Sequence, residues 1–151
     1  LTWNPHVSLT QTERYIRLLE KKYAKGAFWD FGLHDKASGR FIGTCGFTSL
    51  HTDENYAEIG YVLSPDFWRR GLAVEACRAL LKFGFAVFDF DFACARFIEG
   101  NSASERVMQK LGMEYAQTYV NSFFIKNRYR TVIEYKLTKK RFFEALAGNN
   151  K

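Results

Sequence analysis

The stretch Leu63-Ser64-Pro65-Asp66-Phe67-Trp68-Arg69-Arg70-Gly71-Leu72-Ala73-Val74-Glu75 decides how the chain is read. Ahead of it, Tyr56 to Leu63 has the composition of a strand, and Pro65 ends it. Behind it, Leu72, Ala76, Leu80, Phe83 and Val87 recur at helical spacing and predict a long helix from about Gly71 to Phe88. The first turn of such a helix offers N–H groups without intrahelical partners and the positive end of the macrodipole. Arg69 and Arg70 bring two cations there, and Gly71 and Ala73 leave room for close approach. The combination suits a phosphate or pyrophosphate. These residues alone also fit an ordinary helix start with solvated arginines. The spacing is neither the Gly-Lys-Ser/Thr of a Walker loop nor a GxGxxG dinucleotide turn.

Working outward, Ser8 with Gln11 and Thr10 with Glu13 form overlapping capping boxes. They open a helix whose apolar face is Tyr15, Ile16, Leu18, Leu19 and Tyr23, and Gly26 stops it. Trp29 to His34 and Phe41 to Leu50 read as a hairpin turning through Ser38-Gly39. Phe92 to Ile98 lacks clean alternation, which suits a strand buried on both faces. Ser102 with Glu105 reads as another capping box, opening a helix that carries Val107, Met108 and Leu111 and ends at Gly112. Two strands, Tyr115 to Ile125 and Tyr129 to Leu137, turn at Lys126-Asn127, and Phe142-Phe143 adds a final half-helix. The order α-β-β-β-α-β-α-β-β implies a mixed sheet covered by helices.

A chain of 151 residues, 47% apolar with 15 Phe, 8 Tyr and 3 Trp, fits one domain over residues 1–151 and excludes a disordered or fibrous protein. No apolar run approaches the length of a membrane span, since Asp89 and Asp91 interrupt even the Phe-rich stretch. Cys45, Cys77 and Cys94 lie in apolar segments without CxxC spacing, so they read as small core residues. A reducing, cytoplasmic setting and no metal site are expected. The net charge of +6 raises nucleic acid as a partner. Residues 126–151 carry eight Lys/Arg against Glu134 and Glu144, so the whole excess sits there and the body is neutral. Arg130, Glu134 and Lys136 share one face of their strand, opposite Ile133 and Leu137, and read as a solvated face.

Trp68-Arg-Arg-Gly-Leu-Ala73 resembles the Gln/Arg-x-x-Gly-x-Gly/Ala signature of the GNAT acetyltransferase superfamily. Glu58 to Trp68 is similar to its RimJ/RimL-like branch, the ribosomal-protein N-terminal acetyltransferases and their relatives. Asn101-Ser-Ala-Ser104, Lys110-Leu-Gly-Met113 and the closing Tyr135-Lys-Leu-Thr138 agree with it in order and spacing. The resemblance runs from about Ser8 to Thr138. Two departures stand out: the strand and short helix that usually open such proteins would precede Leu1, and Trp68 takes the Gln/Arg position.

The resemblance implies an α/β acyl-CoA N-acyltransferase fold, with a mostly antiparallel sheet and a V-shaped split between two central parallel strands. Acetyl-CoA would lie in the split, with the backbone of Tyr61, Val62 and Leu63 pairing with the pantetheine. The N–H groups of Arg69, Arg70, Gly71, Leu72, Ala73 and Val74 would hold the pyrophosphate. Asn101 would bond the pantetheine arm, or act only as a helix cap. In direct attack by an amine the ammonium must first lose a proton. Glu58, on the face of its strand shared with Gly60 and Val62, is the candidate base, or else a solvated strand carboxylate. His51 and His34 are alternatives. The Tyr acid common in GNAT enzymes is replaced by Met108, and the branch would use Ser104 on the thiol side, where a hydroxyl also suits a helix first turn. The implied acceptor is a primary amine, either a protein N-terminal α-amine or a small molecule. The competing class is a CoA-binding module whose basic tail docks RNA, a ribosome or another polyanion, with little catalysis. No membrane partner is expected.

Overall fold

The computed structural model describes residues 5–26 and 29–148; the ends of the expected domain lie outside them. Helix α1 (Leu9–Ala24) is followed by strands β1 (Trp29–His34), β2 (Phe41–His51) and β3 (Tyr56–Leu63). A 3-10 turn (Pro65–Phe67) leads into α2 (Leu72–Val87), and then come β4 (Phe92–Ile98) and α3 (Ser102–Lys110). The chain closes with β5 (Glu114–Ile125), β6 (Arg128–Thr138) and α4 (Lys139–Gly148). The six strands form one sheet in the order β1-β2-β3-β4-β6-β5. Every neighbouring pair is antiparallel except β3 with β4. No helix among the described residues is long and apolar enough to cross a membrane.

Local chemistry accounts for most boundaries. Ser8 caps α1 by accepting from the Gln11 N–H, while Gln11 Oε1 accepts from the Val7 N–H; Thr10 lies inside the helix. Lys126 and Asn127 both take positive φ, the geometry of a two-residue hairpin turn. The expected box at Ser102 is not formed. Asn101 is the cap of α3, its Oδ1 accepting from the Ser104 N–H, and Glu105 instead accepts from the Tyr135 hydroxyl. α4 is a full ten-residue helix rather than a half-helix. Phe142 holds it by packing beside Phe85 of α2.

The core lies on one face of the sheet. Cys45 and Phe47 of β2, Ala57 and Ile59 of β3, and Ala93, Ala95 and Phe97 of β4 meet Cys77, Leu81 and Phe85 of α2. Met108 of α3, Leu111 just beyond its end and Phe142 of α4 close the same cluster. Burying the Ile, Leu, Phe and Met side chains among them supplies about 1.5–3 kcal/mol each, the main force holding these helices to the sheet. α1 differs from the amphipathic expectation: it buries none of its residues, and Tyr15, Ile16 and Leu18 remain about half exposed.

Across its middle the sheet is joined at one end only. β3 and β4 pair only through Tyr56–Phe92, Ala57–Ala93 and Glu58–Cys94. Beyond Glu58, β3 pairs with β2 alone and β4 with β6 alone, so the two halves diverge and leave a V-shaped gap. At the same level Thr48 is an extra residue on β2, between partners Phe47–Ile59 and Ser49–Glu58. Such a bulge bends and twists its strand, which turns β2 and β3 away from β4 where their pairing stops. The Thr48 hydroxyl fixes the bulge by donating to the Glu58 carbonyl (3.2 Å).

Candidate active site

One wall of the gap is the free edge of β3. The Ser64 N–H donates to the Ile42 carbonyl on β2 (2.8 Å). By the alternation of an antiparallel ladder, Val62 also turns its backbone groups toward β2, whereas those of Tyr61 and Leu63 face the gap. The Leu63 carbonyl is taken by the Trp68 indole N–H (2.8 Å). The Tyr61 hydroxyl reaches the other wall, donating to the Ser104 carbonyl at the start of α3 (3.1 Å).

Above this edge stands the start of α2. Its cap is Gly71 in the left-handed region (φ 79°), with no side chain bonding the first-turn N–H groups. Arg69 is also left-handed (φ 61°), and the Arg70 guanidinium lies 5.0 Å from the centre of the Phe67 ring. From Gly71 a groove of about 650 Å³ runs along α2, past Val74, Arg78, Ala79 and Lys82 to Lys110 of α3 and Leu146 of α4. Arg78, Lys82 and Lys110 make it cationic, with Glu75 the one carboxylate among the described residues that line it. Reading the sequence missed these three cations. For Arg78 and Lys82 the signal was their i, i+4 spacing on α2, which also describes a solvated helix face; Lys110 joins them from α3 only in the fold.

The start of α3 is satisfied internally. Asn101 Nδ2 donates to Ser104 Oγ (3.0 Å) while its Oδ1 receives the Ser104 N–H (3.3 Å). An amide has two N–H donors and an oxygen with two lone pairs, so Asn101 keeps one donor and one lone pair for a ligand. Ser104 Oγ accepts here, which leaves its own proton to be donated elsewhere.

At the vertex of the V, Glu58 lies on the face away from α2, its side chain 21% exposed. Its Oε2 pairs with Arg96 Nη1 (3.1 Å), and Arg96 Nε donates to Glu134 Oε2 (2.7 Å). Glu134 is only 2% exposed and also receives the Tyr119 hydroxyl and Lys136. This corrects the expectation that Arg130, Glu134 and Lys136 form a solvated face; a buried charge is kept by partners on neighbouring strands. Burial raises the Glu58 pKa, and Glu134 adds to the rise, against the lowering effect of Arg96 and His51. Burial would raise Glu134 too, but the Arg96 hydrogen bond and charge hold it below the ordinary range.

Of the other sequence candidates, His51 belongs to this neighbourhood: its Nε2 meets the Ser49 hydroxyl at 3.0 Å and its ring stacks on Tyr56. His34 meets the Gly39 carbonyl in the β1–β2 turn. All three cysteines are buried; Cys45 and Cys77 place their sulfurs 3.6 Å apart in the core. Burial pushes the Cys94 thiol up to about 12, a poor setting for a thiolate nucleophile. Met108, 1% exposed, is part of the core.

Residues 1–114 match the acetyltransferase (GNAT) domain family. An uncharacterised N-acetyltransferase of Bacillus subtilis, YoaA, is 32% identical over 108 residues, covering 72% of this chain and 58% of the relative. With two other similar Bacillus proteins the matched part is 49% and 62% of the relative, so the chain spans about half to three fifths of their length. Among solved structures, spermidine N-acetyltransferase from Vibrio cholerae in complex with CoA and spermine superposes with a TM-score of 0.79 at 18% identity, over 94% of this chain and 82% of that one. Ribosomal-protein-S5-alanine acetyltransferase from Vibrio fischeri gives 0.76 at 18% identity, over 93% and 80%. At this identity the two superpositions speak for the fold alone.

Proposed function

The chain belongs to the GNAT acetyltransferase family, and we propose that it transfers acetyl from acetyl-CoA to a primary amine by direct attack. The observation that carries the reading is the divergence of β3 and β4 past Glu58, beside an α2 start with no side-chain cap. A flat, fully paired sheet would offer neither a strand edge nor space. The cosubstrate supplies an activated thioester carbonyl, and the rest is work for this chain's own groups. The Tyr61 backbone groups and the Leu63 N–H, the Leu63 carbonyl being held by Trp68, would bind an amide-bearing arm as an added strand would, with Val62 keeping the edge extended. The N–H groups following Arg69 and Arg70, from Gly71 through Leu72, Ala73 and Val74, suit a pyrophosphate. Arg78, Lys82 and Lys110 continue the cationic surface toward the outer phosphate.

Glu58 would accept the proton lost by the ammonium, directly or through water. A pKa raised by burial brings its carboxylate closer to the basicity that the task needs. Ser104 would donate toward the departing sulfur, with Asn101 orienting it and lending its remaining donor to the arm. A protein N-terminal α-amine is the acceptor we favour, in line with the RimJ/RimL-like motifs. Such an amine loses its proton about two and a half pKa units more easily than a lysine, so a modest base suffices.

The test is to incubate the protein with acetyl-CoA and a panel of N-terminal peptides, polyamines and small amines, and to follow CoA release. Release with the peptides and not with the polyamines supports the reading in full. Saturable CoA binding without release above hydrolysis for any acceptor would sink the enzymatic reading in favour of a binding module.

A further inference from the structure

Glu58 and Glu134 are both carboxylates bound to Arg96, yet they are held very differently. Glu134 Oε2 takes Arg96 Nε at 2.7 Å and the Tyr119 hydroxyl at 3.2 Å, and its Oε1 takes Lys136 Nζ at 3.4 Å. It is held on both oxygens, by partners from three strands. Glu58 has a single partner, Arg96 Nη1 on Oε2, and its Oε1 has no hydrogen-bond or ion-pair partner among the described residues. One carboxylate is bound through both oxygens and the other through one.

The position of Arg96 matters equally. Glu58–Cys94 is the last paired couple of β3 and β4, and Arg96 is two residues further along the same face of β4, where the strands have parted. Its guanidinium therefore reaches back across the vertex of the V. A planar fork can serve two carboxylates from one rigid plane, which a lysine ammonium does not reproduce. The Tyr119 ring, 5.3 Å from the guanidinium carbon, supports it from one side.

We propose that Arg96 is a positioning residue for the base of this site: held by Glu134, it fixes the Glu58 carboxylate at the vertex with Oε1 free toward the gap. The proposal rests on reading Glu58 as the base. The groups facing or neighbouring Glu58 are His51 on β2, Tyr56 on β3, Cys94 and Arg96 on β4, Glu134 and Lys136 on β6, and Tyr119 on β5. Of the charges acting on it, Arg96 and His51 favour the carboxylate and Glu134 opposes it. Changing Arg96 and changing Glu134 therefore act on Glu58 with opposite sign, a signature that loss of packing does not produce.

The experiment is the pH profile of kcat/KM, with the best acceptor of the panel, for the wild type, Glu58→Gln, Arg96→Met, Arg96→Lys and Glu134→Gln. Activity needs Glu58 unprotonated and is lost as the pH falls through its folded pKa. Arg96→Met should move that acidic limb up by on the order of one pH unit. Glu134→Gln should move it down by a smaller step, since a negative neighbour is lost and Arg96 is left to Glu58. Arg96→Lys should keep the limb near its wild-type position while lowering kcat, on the order of tenfold, through lost orientation. In all three the KM for acetyl-CoA should hold. If Glu58→Gln cripples turnover but the limb stays fixed in both Arg96→Met and Glu134→Gln, the base reading stands and the positioning role falls. If Glu58→Gln leaves turnover intact, Glu58 is not the base and the proposal falls with it. Should Arg96→Met fail to fold because it strands the buried Glu134, the near-isosteric Glu134→Gln decides alone: an unmoved or raised limb overturns the proposal.

Discussion

The two helix starts that flank the gap are built in opposite ways. α3 is closed by its own sequence, because Asn101 occupies the cap and binds both the N–H and the hydroxyl of Ser104. α2 is capped by Gly71, which contributes no side chain, in a left-handed conformation that turns the chain sharply into the helix. A glycine cap forgoes roughly a few tenths of a kcal/mol against Asn or Ser. Leaving it bare beside a strand edge with free backbone groups makes sense if an anion completes it. One terminus is closed from within and the other carries no side-chain cap, although both lie on the same gap and both carry motif residues.

Five changes would break or sharpen that contrast. The largest effect belongs to the vertex between the two helix starts. Glu58→Gln should lower kcat about 10²–10⁴-fold, the usual span for a general base. CoA affinity, measured by calorimetry, should be retained. Next comes Gly71→Val, which places a β-branched residue at φ 79°. The substitution meets open space, so its cost is conformational, about 1–3 kcal/mol in thermal unfolding. CoA binding should weaken with it. If only stability fell, the start of α2 would be no more receptive than that of α3.

Asn101→Ala tests the other terminus and should cost about 1 kcal/mol, the worth of a side-chain cap. Ser104→Ala keeps that cap's N–H contact. A slower chemical step in Ser104→Ala, with unchanged Tm, would give the hydroxyl a role beyond capping. The smallest effect concerns the groove beyond Gly71. Arg78→Ala with Lys110→Ala should weaken CoA on the order of threefold, as exposed charge contacts do, and leave dephospho-CoA unchanged. Equal losses for both ligands would remove the outer-phosphate role from the groove.

Much of this fold was legible because its boundaries are written locally. Ser8 caps α1, Lys126-Asn127 turns the last hairpin, and Pro65 and Gly71 bracket the β3-to-α2 turn. The start of α3 was misplaced by one residue because Asn101 and Ser102 are both good caps; the bond from Tyr135 of β6 to Glu105 removes the partner that a Ser102 box needs. α4 was underestimated because Lys139, Lys140 and Arg141 open it, cations at the end of a helix where its dipole disfavours them. Contacts from distant segments compensate, since Lys139 pairs with Asp89 and Arg141 with Glu114. They also show that part of the basic tail is occupied in tying α4 to the body.

The candidate site was legible to the extent that its residues sit in one strand-turn-helix unit. Glu58, Tyr61, Leu63 and Gly71 are contiguous enough for period and turn chemistry to order them. Arg96 and Glu134 were not, because their roles arise from pairing β3 with β4 and β4 with β6. Along β6 alone, Glu134 between Arg130 and Lys136 has the pattern of a wet strand face. Only register reveals that it meets Arg96 and is buried.

The most direct measurement is a backbone-amide NMR titration of the protein with CoA. The account predicts saturable shifts at the amides of Tyr61, Leu63, Gly71, Leu72, Ala73 and Val74, with smaller ones at Ser104, whose N–H already has Asn101 as partner. Saturable binding that left the amides at the start of α2 and along the β3 edge unmoved would contradict it.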